Sequence, residues 1–137
     1  MALLKVGQGL ALLMALGIAG AAAAPEGLVA SRERGWPQWR GPRRDGISHE
    51  KGLLPAWPAE GPKLLWQAAG LGTGWSCPII ARGRLYVTGD VGDDLVIHAF
   101  DVEGRRLWQA KNGAAWKGQY PGARACAAYA DARLYHM

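Results

Sequence analysis

An internal repeat constrains the fold of this chain more than any other feature. The sequence LLWQA around Trp66 returns as RLWQA around Trp108, 42 residues later. Self-similarity at a fixed period of about 20 to 50 residues indicates a repeat architecture, in which each unit buries its apolar face against its neighbours. We therefore look for the fold among repeat architectures rather than among isolated small domains.

A second pair of matches has a longer offset. It aligns Cys77 with Cys126, and the RLY sequence that begins at Arg84 with the one that begins at Arg133, each 49 residues apart. The second offset exceeds the first by seven residues, and these lie between Trp108 and Cys126. An insertion between equivalent strands is expected in a loop.

Short apolar or alternating runs, separated by turn residues, fill the chain from residue 63 onward. Runs of this kind at close spacing predict β-strands. The chain also has 20 glycines and 7 tryptophans but one phenylalanine, which favours β structure over helix. The predicted strands are 63–68, 76–81, 84–90, 94–101, 105–110, 125–130 and 133–137.

Four short strands per unit at a period near 40 residues are typical of a β-propeller blade. We predict an all-β fold, an incomplete β-propeller with one full four-stranded antiparallel blade at 76–110 and parts of two others. The strand at 63–68 would be the outer strand of one neighbouring blade, and 125–137 would begin the next. Since four to eight blades of about 40 residues need more chain than this, we expect the N-terminal part of a larger propeller, poorly stable alone.

The N-terminal residues have the order of a secretory signal peptide. Lys5 precedes an apolar stretch that ends in small residues at Ala21 and Ala23. This stretch is shorter than the about 20 residues of a membrane-spanning helix. We predict a signal-peptide helix over 1–23, a mature protein beginning at Ala24, and export to the periplasm or the extracellular space. An uncleaved signal anchor is the alternative.

The mature chain divides into two parts. Residues 24–62 are rich in Trp, Arg and Pro without an apolar period, which predicts an irregular segment, and 63–137 are the partial propeller. Residues 32–44 interleave arginines with tryptophans, a combination that would suit binding to an anionic polymer. We favour a different interpretation, in which residues 32–44 form a strap that lays its tryptophans against the propeller and leaves its arginines in solvent. The net charge of +5 is diffuse and export disfavours nucleic acid, so the expected partners are other envelope proteins or a polysaccharide. No stable membrane span is expected after cleavage.

The sequence AFDVEGRRLW ends the full blade and carries Ala99, Asp101, Gly104 and Trp108. It resembles the A-x-D-x-x-x-G-K-x-x-W repeat of the pyrroloquinoline quinone (PQQ)-like β-propeller family, with one residue fewer between Asp and Gly and with Arg105 for Lys. The sequences WPQWRGPRRDGIS, GPKLLW and RLYVTGD resemble the secreted bacterial members of that family.

The motif residues have architectural roles. We expect Asp101 to accept backbone N–H bonds across its turn, and Gly104 to permit the tight reversal. Trp108 and its repeat equivalent Trp66 offer large rings that wedge between neighbouring blades.

The resemblance implies a secreted binding or scaffold module. It also allows an alternative, a PQQ-dependent quinoprotein oxidoreductase similar to alcohol dehydrogenases, with PQQ and calcium held by a complete propeller. No catalytic, cofactor-binding or metal-ligating residue is assigned within this chain, because it has no HExxH or nucleophile motif and the turn at 90–94 fits no calcium loop.

Two tryptophans in loops, Trp75 and Trp116, are the candidate ligand-facing aromatics, since indole faces can stack on a flat cofactor or a sugar. A small secreted carbohydrate-binding β domain is therefore a third interpretation. His98 shares a strand face with the apolar Val96 and Phe100, and a core or a surface position without a ligand role is expected for it.

The two cysteines, Cys77 and Cys126, occupy equivalent inner-strand positions of successive units. We expect small buried thiols there. A disulfide remains the alternative, because equivalent strands of adjacent blades are expected to lie farther apart than the Cα separation of about 4.4 to 6.8 Å that a disulfide spans.

Overall fold

The computed structural model describes residues 35–137. The predicted signal-peptide helix over 1–23, the cleavage site before Ala24 and the beginning of the segment 24–62 lie outside the described residues.

The described part of the chain contains six β-strands and no helix, which confirms the all-β prediction. Four strands form an antiparallel sheet in the order β1-β2-β3-β4, and the other two form a separate hairpin. The predicted four-stranded unit is therefore present, and the described strands do not close into a ring. The bounds are β1 Ile79–Ala81, β2 Arg84–Val91, β3 Asp94–Asp101, β4 Arg106–Ala114, β5 Ala128–Ala130 and β6 Arg133–Tyr135.

The β1–β2 and β5–β6 hairpins have the same register, shifted by 49 residues. Ile79 pairs with Tyr86 in the first hairpin, and Ala128 pairs with Tyr135 in the second. The second sequence repeat is therefore a structural repeat, with equivalent residues at equivalent ladder positions.

Both hairpins reverse through two residues with positive φ, as the favoured two-residue turns require. Arg82 and Gly83 have φ values of 52° and 69°, and Asp131 and Ala132 have 48° and 59°. Alanine lacks the conformational freedom of glycine at positive φ. The second turn is consequently the more costly of the two.

A parallel contact joins the segments that precede the two hairpins. Gly74 and Ala123 form a parallel bridge, and they are also 49 residues apart. The amide of Trp75 donates to the carbonyl of Ala123 at 2.7 Å, and the amide of Ala123 donates to that of Thr73 at 3.2 Å. A Cβ added at Gly122 would lie 3.2 Å from the backbone of Gly74, so the two backbones approach closely. Equivalent segments of the two units thus lie side by side and in register.

The main apolar core lies between the two sheets. Its buried members come from β1, β2 and β3 and from the segment before β5, and Tyr86 stacks on Tyr129 with ring centroids 6.2 Å apart. The four-stranded unit therefore buries apolar surface against the second unit, as repeat architectures require. The buried core residues are Ile79, Ala81, Tyr86, Ala99 and Ala127.

The third and fourth strands differ sharply in burial. Residues 96–100 of β3 are buried on both faces, whereas every residue of β4 is exposed. The β3–β4 ladder has two register irregularities, between Leu95 and Val96 and between Ala99 and Phe100. These irregularities have the character of β-bulges, which bend a strand and increase its twist.

The structure corrects several of the predicted strands: β1 begins at Ile79 and not at 76, β5 begins at Ala128 and not at 125, and β6 ends at Tyr135 and not at 137. Residues 63–68 form no strand: Leu64 and Leu65 are exposed, and Trp66 alone packs onto the sheet. A strand needs a neighbouring strand to bond with, and the described residues offer none at this point. The insertion before Cys126 is also only partly a loop, because 111–114 extend β4 along β3.

The segment from Gly35 to Pro62 contains no strand and touches the sheets through its first residues. Trp36 forms an antiparallel bridge with Ile80, and the amide of Tyr129 donates to the carbonyl of Pro37 at 2.8 Å. These bonds connect the described part of the strap, residues 35–44, to the β1–β2 hairpin and to the β5–β6 hairpin. Within residues 35–137, no helix is long and apolar enough to cross a membrane.

Candidate functional site

The loop that follows β4 presents aromatic side chains to solvent. We call residues 115–124, together with Trp75, the aromatic loop. Trp116 folds over this loop: its indole N–H donates to the carbonyl of Gln119 at 3.0 Å, and the Arg124 guanidinium lies 5.9 Å from its ring centroid. Trp116 remains 53% exposed, so these contacts fix the ring while leaving part of its surface accessible to a ligand.

Trp75 reaches the same loop from the first unit. Its indole N–H donates to the carbonyl of Pro121 at 3.2 Å, and 71% of the residue is exposed. Tyr120, next to Pro121, is 69% exposed and has a φ of 54°. The structure thus brings both predicted aromatics, Trp75 and Trp116, to one loop and adds a third.

The turn between β2 and β3 anchors the aromatic loop. The amide of Trp116 donates to Asp90 Oδ2 at 3.1 Å, and the amide of Ala115 donates to the carbonyl of Asp93 at 2.9 Å. The Lys117 ammonium donates to the carbonyl of Gly92 at 2.6 Å and lies 3.3 Å from the Asp93 carboxylate. These bonds tie residues 115–117 of the aromatic loop to the end of β2 and to the turn that follows it. They therefore fix the position of the loop that carries the aromatic rings.

The carboxylates of this turn do not form a calcium site. Asp90 accepts from the backbone of Trp116, Asp93 pairs with Lys117, and Asp94 pairs with Lys111. Among residues 35–137, no three ligating side chains come together. The side chains that the structure describes therefore do not fit the calcium ion that PQQ chemistry would involve, and no reaction step is derived through that cofactor.

The motif residue Ala99 lies in β3 and is fully buried, at the position that pairs with Trp108. Asp101 ends the same strand and accepts from the amide of Arg105 at 2.8 Å and from its Nε at 2.9 Å. Partial burial opposes ionisation, but these hydrogen bonds prevail and hold the pKa of Asp101 below its usual range. The carboxylate thus closes the β3–β4 turn, as its sequence position suggested.

Gly104 and Trp66 form a tight contact at that turn. Gly104 has a φ of 89°, and a Cβ there would lie 2.5 Å from Cδ2 of the Trp66 ring. The Trp66 indole also donates to the carbonyl of Val102 at 3.0 Å and stacks on Phe100 with centroids 6.2 Å apart. The tryptophan of one repeat therefore packs on the hairpin turn of the next.

Trp108, the repeat equivalent of Trp66, has a different environment. Its ring lies 5.9 Å from that of Tyr86, and the residue is 38% exposed. Within the described residues, no hairpin turn covers it as 101–104 covers Trp66.

His98 is fully buried, so of the core and surface positions that the sequence left open the structure shows the core. Its Nε2 lies 3.1 Å from the carbonyl of Leu71, and because a carbonyl only accepts, Nε2 carries the proton. Nδ1 is buried without a hydrogen-bond partner. Burial, followed by the charge of Arg106, lowers the pKa of His98 against the raising effect of the Leu71 bond.

The cysteines depart from the expected pair of buried thiols. Cys77 is exposed and Cys126 is half-buried, and both are free. The amide of Cys77 donates to the sulfur of Cys126 at 3.0 Å. The sequence favoured a Cα separation too large for a disulfide; the parallel contact at Gly74 and Ala123 nevertheless brings the sulfur of Cys126 to the backbone of Cys77.

Sequence reasoning missed two members of the aromatic loop, Tyr120 and Arg124. The available signal was the segment between Trp108 and Cys126, which contains the seven extra residues and carries Trp116, Tyr120 and Arg124. Comparison with family models, curated proteins and solved structures finds no match for this chain.

Proposed function

We propose that this chain contributes consecutive blades to an exported PQQ-like β-propeller that serves as a binding or scaffold module. The observation that carries this proposal is the parallel bridge between Gly74 and Ala123. Residues at the same repeat position lie side by side, although 49 residues of chain separate them.

Blades repeated around a central channel would place equivalent residues side by side in this way. When blades surround a channel, their innermost segments are neighbours, while the outer strands contact the next blade through their faces. Two contacts support the proposal: the bridge between Gly74 and Ala123, and the packing of Trp66, from a segment that forms no strand, on the turn at Gly104. In one continuous sandwich, residues that touch between the two sheets have no reason to be separated by the repeat offset. Here Gly74 and Ala123 are in contact and are separated by that offset of 49 residues.

The exposure of β4 supports further blades. Trp108 and Leu107 are each 38% exposed on a strand whose residues are all exposed. A further repeat would cover Trp108 with its own turn, as the turn at Gly104 covers Trp66. The occupant that we propose for this face is therefore another copy of the same repeat.

The aromatic loop is the proposed binding surface. Trp75, Trp116 and Tyr120 are each more than half exposed, and the two indole rings are held by hydrogen bonds to backbone carbonyls, with a cation–π contact at Trp116. Rigid aromatic faces supply large contact areas at a low entropy cost, and they suit the C–H faces of sugar rings. Both loop cations already have partners, Lys117 in the turn between β2 and β3 and Arg124 at the carbonyls of Gln119 and Tyr120, so the proposed ligand is a neutral polysaccharide.

Intrinsic tryptophan fluorescence, titrated with soluble neutral glycans, tests the binding proposal. We expect a saturable change that is lost or weakened at least about tenfold in Trp75→Ala and Trp116→Ala, since loss of a stacking contact of roughly 1.4 kcal/mol is a factor of ten. Trp39→Ala is the matched control, because Trp39 is 58% exposed and lies in the strap. No change with any glycan, or equal losses in all three variants, would contradict a binding role for this loop.

A further inference from the structure

The two cysteines lie within covalent reach of each other. The Cys126 sulfur is 3.0 Å from the backbone nitrogen of Cys77, and since an N–Cα bond is about 1.46 Å, it lies at most about 4.5 Å from the Cys77 Cα. A disulfide spans Cα atoms about 4.4 to 6.8 Å apart. The Cys126 sulfur is thus in direct contact with the backbone of Cys77.

The backbone holds this approach in place. The bridge between Gly74 and Ala123 lies three residues before each cysteine, and the backbone bonds between 73–75 and 123 align the two segments. Neighbouring strands are about 4.8 Å apart, so in-register residues beyond the bridge start close together. The cysteine contact is thus a consequence of the repeat register and not of a single side-chain rotamer.

We propose that Cys77 and Cys126 form a disulfide that links the inner segments of the two successive units. The oxidant is a small disulfide such as oxidised glutathione. The exposed Cys77 thiolate attacks one of its sulfurs, forming a mixed disulfide and releasing one thiolate. The Cys126 thiolate then attacks the Cys77 sulfur, closing the protein disulfide and releasing the second thiolate. Two protein thiols are oxidised, one small disulfide is reduced to two thiols, and the two protons pass to solvent or to the released thiolates.

The environments of the thiols fit these roles. Cys77 is exposed and so accessible to the oxidant, whereas Cys126 is half-buried and faces Cys77. Burial raises the pKa of Cys126, and the neighbouring Cys77 thiol adds to the rise, against the lowering effect of the Cys77 amide. The closing step should therefore become faster as the pH rises, because the thiolate is the nucleophile.

The test equilibrates the full chain in mixtures of reduced and oxidised glutathione, with acid quenching and mass spectrometry. In native buffer we expect both thiols to disappear together, with a mass loss of two hydrogens and a bridge between the tryptic peptides 64–82 and 125–133. The effective concentration of the two thiols should be at least about 100-fold higher in native buffer than in concentrated urea, because folding aligns them.

Two serine variants serve as controls. Cys126→Ser should accumulate a stable glutathione adduct at Cys77, whereas Cys77→Ser should react more slowly, since its remaining thiol is half-buried. The proposal is overturned if the native chain forms two glutathione adducts or an intermolecular dimer instead of the bridge. It is also overturned if the effective concentrations in native buffer and in urea are equal.

Discussion

Substitution of Gly104 tests the contact between the repeat tryptophan and the next hairpin. In Gly104→Ala, the residue keeps a φ of 89° and its new Cβ lies 2.5 Å from the Trp66 ring. The conformational cost of alanine at positive φ is about 1 to 2 kcal/mol. Overpacking against the ring adds about 1 to 3 kcal/mol. We expect the free energy of unfolding to fall by about 2 to 5 kcal/mol.

A double-mutant cycle separates the two costs. In a Trp66→Leu background the indole ring is absent, so Gly104→Ala should cost only the conformational part of about 1 to 2 kcal/mol. Gly92→Ala is the matched control, because Gly92 has a φ of 62° and nothing within 4 Å of the added Cβ. Gly92→Ala should therefore lower the free energy of unfolding by only the conformational cost of about 1 to 2 kcal/mol.

The assay is urea unfolding followed by far-ultraviolet circular dichroism, which does not depend on the removed tryptophan. The expected coupling energy between Gly104→Ala and Trp66→Leu is about 1 to 3 kcal/mol. Additivity within about 0.5 kcal/mol, or equal losses for Gly104→Ala and Gly92→Ala, would show that Trp66 does not pack on this turn in solution.

Three further predictions address the sheet, the buried histidine and the loop anchor. Gly89→Ala should destabilise the chain more than Gly92→Ala, because its Cβ would collide with the carbonyl of Leu71, and unfolding curves measure the difference. The free energy of unfolding should decrease as the pH falls from 6.5 through the lowered pKa of His98, because folding favours the neutral imidazole and the unfolded chain binds the proton first. In His98→Gln this part of the pH profile should flatten. An unchanged slope would refute the assignment of this pH dependence to His98. Asp90→Ala should release the Trp116 amide and raise proteolysis within 115–124, compared with Asp93→Ala at the exposed end of the turn.

The sequence predicts a strand most accurately where turn residues bound the run on both sides. The β2 and β3 runs alternate or stay apolar over eight residues and are bounded by turn residues, so their bounds were close to those observed. The run at 63–68 has the same appearance but no partner strand among the described residues. Periodicity indicates which residues suit a strand, whereas the hydrogen-bonded neighbour decides whether one forms.

The candidate site was less predictable for a physical reason. Trp75 and Trp116 were identified one by one, because exposed indoles in loops are visible in a sequence. Their association depends on hydrogen bonds at Pro121, Asp90 and Ala123, each of which uses at least one backbone group and spans 26 to 48 residues. The approach of Cys77 to Cys126 has the same origin. Backbone bonds between distant segments carry no residue-type signature.

The irregular ladder beside β4 has a consequence for self-association. A regular exposed strand presents a row of free N–H and C=O groups that can recruit a second molecule edge to edge. The irregularities that leave Leu107 and Asn112 of β4 without a partner in the β3–β4 ladder, together with the charged Arg106 and Lys111, make this rim a poor template for such growth. Edge-to-edge growth along β4 is therefore disfavoured, whereas the exposed Trp108 face stays available to the further repeat that we propose.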